Sequence, residues 1–172
     1  HVNYSGSTGY GRAYRDRLRG RWGLVDIDDC VTGARSVAEA GRADADRLAI
    51  RGGSAGGYAV LRAMTTSDAF AAGTSLFGVG DLAALAQHTH KFESRYCDRL
   101  VAPWPAGEAV YRDRSPVHHV DRLHGELLLL QGSADMVVPL AQAEDMAAAM
   151  RAAGRDVELA VYDGAGHGFR RH

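Results

Sequence analysis

The chain has 172 residues, 46% of them hydrophobic and 24% charged, and a formal net charge of −1. These are the proportions of one soluble globular domain with a proper core, and the near-neutral charge argues against a surface built to coat a polyanion. Cys30 and Cys97 stand far apart without CxxC spacing, which excludes a disulfide framework and a zinc cage, and no apolar run approaches the ~18–20 residues of a membrane span.

Taken in order, the chain opens HVNY with no initiator Met and no signal peptide, and reads as one whose beginning lies elsewhere. Residues 2–4 are a short β-prone stub running into the turn-rich SGSTGYG. The stretch GRAYRDRLRGRWG at 11–23 carries Arg12, Arg15, Arg17, Arg19 and Arg21 against Asp16. Nucleic-acid binding is one use for such a stretch, but arginine-rich surfaces are more often solvated or paired with acids. Over 26–40, Ile27, Cys30, Val31, Ala34, Val37 and Ala38 follow helical spacing, with Asp26, Asp28 and Asp29 at the start and Gly41 at the end.

Residues 48–51 predict a strand, RGGSAGG a tight turn, 55–66 a helix and 71–78 a second strand closed by glycine. Residues 81–100 read as mainly helical, PWPAG at 103–107 as a loop, and LLLL at 127–130 as a buried strand. Pro139 suits a helix start, and Leu140, Ala143, Met146, Ala147 and Met150 carry the apolar stripe toward Gly154. A last strand is predicted at 157–161, before DGAGHGF at 163–169. From residue 47 onward, strands alternate with helices, which implies parallel pairing through right-handed crossovers in an open α/β sheet.

Gly52-Gly53-Ser54-Ala55-Gly56 matches G-x-S-x-G. Alone, that pattern serves an inert serine in a glycine turn as well as it serves a nucleophile. Here it follows a predicted strand and opens a predicted helix, where a nucleophile elbow must sit. A phosphate-cradling loop would need Lys and then Ser/Thr after its last glycine, but Tyr58 follows Gly57. A serine hydroxyl needs a histidine to take its proton and a carboxylate to orient that histidine. In α/β-hydrolases these follow in the order Ser, acid, His, each in a loop beyond a strand. Asp135 in QGSADMVVP and His167 in GAGHGF fit those positions. Asp81 and Asp163 are weaker alternatives for the acid. His88-x-His90 and His118-His119 could suggest a metal, yet no adjacent Asp, Glu or Cys completes a site.

The stretches NYSGSTGYGRAYRD (3–16), WGLVDIDDC (22–30), DRLAIRGGSAGGY (46–58), HKFESRY (90–96), RSPVHHVDRL (114–123), LLLLQGSADMVVP (127–139) and DGAGHGF (163–169) resemble the catalytic domain of the prolyl oligopeptidase family. These are serine peptidases of α/β-hydrolase fold, and the likeness is to acylaminoacyl-peptidase and dipeptidyl-peptidase-like members. The resemblance implies a Ser54–Asp135–His167 triad, an oxyanion donor at the Ala55 N–H, short peptide substrates and no metal or organic cofactor. It also implies a homo-oligomer as one possible state. A cytoplasmic location is the expectation from cysteine usage, and no membrane or nucleic-acid partner is expected. Ser5 stands where relatives usually have Arg, and Glu126 where they have proline or an apolar residue.

By the same resemblance, residues 1–172 are the C-terminal portion of the hydrolase domain, with a β-propeller and the early strands upstream. The strand of Ser54 would then have an open edge, and the upstream region would supply a second oxyanion donor. Losing one such donor costs roughly 10²–10³ in rate, about 3–4 kcal/mol. A carboxylesterase using the same triad, or a catalytically silent fragment, are the alternative readings.

Overall fold

A computed structural model describes residues 1–88 and 95–169. Its frame is four parallel strands, β1 (Ala49–Gly53), β2 (Ala72–Leu76), β3 (Glu126–Gly132) and β4 (Glu158–Tyr162), ordered in the sheet as in the chain. Ile50 lies opposite Gly73, Gly73 opposite Leu127, and Leu129 opposite Leu159, so these residues share one face.

The helices are α1 (Arg12–Asp16), α2 (Val25–Glu39), α3 (Ala55–Thr66), α4 (Leu82–His88), α5 (Tyr96–Leu100), α6 (Glu108–Arg114) and α7 (Leu140–Ala152). The main core joins Ile27 and Val31 of α2, the α3 run from Ala59 to Leu61 with Ala63 and Met64, Leu127 and Leu129 of β3, and Met146, Ala147 and Met150 of α7. A second cluster gathers Trp22, Tyr58, Val79, Leu82, Cys97, Val101, Tyr111 and Val138 nearer the α4–α6 layer.

Gly73 shows why α3 can lie so close to the sheet. A Cβ there would come within 3.1 Å of Met64 and 3.0 Å of Val60. Polar groups tie α3, α6 and the residues before α2 together. Arg62 donates from Nη1 to the Asp113 carbonyl (2.9 Å), Arg114 to the Trp22 carbonyl (3.1 Å) and Tyr58 Oη to the Arg114 carbonyl (3.1 Å). Asp26 sits beneath them, accepting from the Gly23 N–H at 2.8 Å, and burial pushes its carboxyl up to about 6.

Three predictions change on the structure. Residues 2–4 form no strand: with no sheet neighbour to complete a ladder, the Asn3 carbonyl instead accepts from Tyr14 Oη (2.8 Å). The stretch 81–100 is interrupted, with α4 and α5 at its two ends and 89–94 outside the described residues. The run 127–130 is buried at Leu127 and Leu129, whereas Leu128 and Leu130 are half-buried, because no described helix packs them into a core. β1 pairs with β2 alone among the described strands.

Candidate active site

Ser54 stands between the last residue of β1 and the first of α3, with φ 57° and ψ −120°. A non-glycine residue at positive φ is uncommon and is held there by its surroundings. Here the Ser54 N–H donates to the Leu76 carbonyl (2.9 Å) and its own carbonyl accepts from Tyr58 (3.0 Å). The flanking glycines are required for closeness. A Cβ on Gly52 would run into the Gly56 carbonyl, and one on Gly57 would lie 2.6 Å from the Gly78 Cα. As the first residue of α3, Ala55 has an N–H with no intrahelical acceptor, facing the helix end that favours negative charge.

Asp135 lies in the loop between β3 and α7 with its side chain fully buried. Its Oδ1 accepts from the N–H groups of Val137 and Val138, both at 2.9 Å. Its Oδ2 is 2.8 Å from His167 Nδ1 and also accepts from Gln131 Nε2 at 3.3 Å. Gln131, itself buried, donates in addition to the Val138 carbonyl at 2.9 Å, which ties the loop to the end of β3. His167, beyond β4, is about a quarter exposed at its side chain.

The other acids are engaged elsewhere. Asp81 Oδ1 accepts from Ala83 (2.7 Å) and Ala84 (3.2 Å) at the start of α4, and Asp163 Oδ1 accepts from Ser133 Oγ (3.1 Å). Thus Asp135 and His167 are brought into a direct hydrogen bond, and Ser54 stands beyond the same C-terminal sheet end. Among the described residues no hydrogen bond joins Ser54 to His167.

The sequence reading missed Phe77. Directly after β2, it has φ 39°, and its ring meets His167 at a centroid distance of 4.6 Å and Phe169 at 5.1 Å. Nothing in a single LFG tripeptide signals this, since positive φ at an aromatic residue runs against local preference.

The remaining candidates lie apart from this constellation. Arg15 and Arg19 both reach Asp16 (3.2 and 3.3 Å), and the Arg17 guanidinium lies 4.9 Å from the Tyr14 ring centroid. His119 Nε2 is 2.7 Å from the Asp113 carbonyl oxygen. His90 is outside the described residues. Among the described residues no three His, Cys, Asp or Glu side chains group to hold a metal ion. No described helix is long and apolar enough to cross a membrane.

The chain is similar to known peptidases in sequence and fold. Dipeptidyl aminopeptidase BIII of Pseudoxanthomonas mexicana is 32% identical over 176 residues, covering 99% of this chain and 26% of that protein. A puromycin-hydrolyzing peptidase of Mycobacterium tuberculosis superposes with a TM-score of 0.96 at 49% identity, again over 99% of this chain and 26% of the other. An acylaminoacyl peptidase of Pyrococcus horikoshii gives 0.90 at 28% identity, over 97% of this chain and 27% of its own. The chain thus spans about a quarter of the length of these relatives. The family model that matches is that of the prolyl oligopeptidase family, over residues 1–172, and the chain belongs to that family.

Proposed function

We propose that this chain carries the nucleophile, acid and base of a serine peptidase that hydrolyses short peptides through an acyl-enzyme. The observation that carries the reading is the Asp135–His167 hydrogen bond at 2.8 Å, formed at the sheet end where Ser54 stands at φ 57°. With Nδ1 bound to the carboxylate, His167 presents Nε2 as the proton acceptor. Ser54 Oγ attacks the scissile carbonyl carbon while its proton passes to Nε2. The oxyanion that forms is stabilised by the Ala55 N–H at the start of α3. Collapse breaks the C–N bond, and His167 gives its proton to the departing amine. Water then repeats the attack on the ester, regenerating Ser54 and releasing the acid.

The buried side chain of Asp135 accepts from two backbone N–H groups and Gln131, which fixes the carboxyl in the orientation that holds the imidazole. The kinship with named aminopeptidases and a puromycin-hydrolyzing peptidase favours amide bonds over simple esters as the natural target. The whole enzyme, on this reading, includes upstream strands beside β1 and supplies a second oxyanion donor from them.

The test is labelling of the full-length protein with a fluorophosphonate, read by intact mass, beside Ser54→Ala. One adduct on Ser54, absent from the variant, is expected. An unlabelled but folded wild type overturns the assignment. Turnover of a short-chain ester without turnover of an aminoacyl anilide or puromycin would replace the peptidase by an esterase.

A further inference from the structure

We propose that Phe77 is a positioning residue for His167, fixing the plane of the imidazole that the hydrogen bond to Asp135 leaves free to turn. The inference rests on His167 being the base of the reading above.

A single hydrogen bond pins Nδ1 at a point but does not determine the tilt of the ring about it. His167 sits on a loop rather than a strand or helix, and its side chain is a quarter exposed, so packing on the solvent side cannot supply the second restraint. Phe77 supplies it from the sheet side. The two rings meet nearly edge to face, 4.6 Å between centroids and 62° between planes, within the favoured range for aromatic pairs.

Three features hold Phe77 in place for this contact. Its backbone takes φ 39°, a conformation costly for an aromatic residue, and is kept there by an N–H bond to the Leu130 carbonyl at 2.7 Å. Its ring occupies the space beside Gly53, where a Cβ would approach Cε2 to 2.9 Å and Cζ to 3.0 Å. Its other neighbour is Phe169, two residues after His167 and also at positive φ (58°), which in turn packs on Tyr162 at 4.9 Å. Phe77 therefore touches the glycine beside the nucleophile, the base and the loop that carries the base. A strained aromatic residue with this set of neighbours is poorly explained as core filling, because Phe77 is half-buried and belongs to neither core cluster.

The experiment compares Phe77→Leu, Phe77→Gly and Phe77→Tyr in the full-length protein with an aminoacyl 4-nitroanilide, alongside titration of reactive Ser54 by a fluorophosphonate. Phe77→Gly suits the positive φ and removes the ring, so it tests the ring even if Phe77→Leu folds poorly. The expected result is a fall in kcat of ten- to a hundredfold with KM nearly unchanged, from misplacement of the base. The titrated fraction of sites stays full while the labelling rate falls in step, and Phe77→Tyr restores both. Wild-type kcat in Phe77→Gly overturns the proposal, as does a loss that appears wholly as fewer titratable sites. Turnover surviving in Ser54→Ala removes the functional reading and the proposal with it. Loss in Ser54→Ala beside normal rates in the Phe77 variants removes the proposal alone.

Discussion

The two faces of the sheet are built differently. On one, Leu127, Leu129 and Gln131 are buried, with Gly73 and Ser75 beside them under α3, and Met146, Ala147 and Met150 of α7 complete the cover. On the other, Thr74, Leu76, Leu128 and Leu130 are half-buried and Arg51 is exposed. Parallel sheets ordinarily hide both faces. Both sides meet at the candidate site. α3 supplies the Ala55 N–H, and Gln131, from the covered face, holds Asp135. From the other face, the Phe77 ring lies beside Gly53, the partner of Leu76, and meets His167.

The sharpest way to break that comparison is to truncate one leucine on each face. Leu129→Ala should cost about 2–5 kcal/mol, as for other buried leucines. Leu128→Ala, starting half-buried, should cost about 1 kcal/mol. Equal shifts of the urea midpoint would show the two faces to be equally packed.

Next in size is Asp26 of α2, buried beside Gly23. Its carboxyl is raised from 3.8 to about 6 by burial, so the neutral form is the one the fold prefers. The sign follows from linkage: the stability is fully present below about pH 4, is lost as pH rises toward 6, and stays lost above. The loss is on the order of 3 kcal/mol. Asp26→Asn keeps an acceptor for the Gly23 N–H without ionising, so its denaturation midpoint should stay flat over pH 4–6 where the wild type falls.

Gly57→Ala is expected to cost about 1–3 kcal/mol, as overpacking does. Its Cβ meets backbone at 2.6 and 2.9 Å, so α3 must lift from β2. Labelling of Ser54 should suffer more than the melting temperature, since Ala55 moves with the helix. The smallest effect is at the surface: Arg35→Ala breaks the exposed pair with Asp68 (2.8 Å) and should change stability by no more than ~0.5 kcal/mol in thermal melts.

What the sequence disclosed follows from which signals are local. All four strands fall within two residues of their predicted starts because each is a short apolar segment bounded by turn residues. α2 and α3 are equally plain, with their apolar spacing and the glycines around Ser54. Ser54, Asp135 and His167 could be nominated because each follows a strand. Asp135 and His167, 32 residues apart in sequence, were paired by the order Ser, acid, His, and the structure adds their 2.8 Å contact. α6 was missed because EAVYRDR buries Tyr111 and Arg114 amid polar neighbours, which gives weak periodicity. Phe77 was invisible for a deeper reason. Its importance lies in contacts to Gly53, His167 and Phe169, none of which its own neighbours in sequence announce.

Sheet order equal to chain order has a consequence in time. The described strands can be laid down one beside the last as the chain leaves the ribosome, with none of them inserted between two already placed. The site residues arrive on the same schedule, Ser54 after β1, Asp135 after β3 and His167 after β4. A nascent chain stopped at residue 162 holds every strand described here, but not the histidine. On the proposed chemistry, the serine is therefore made before its base, so a partly synthesised chain stays inert until β4 and the loop beyond it have been made.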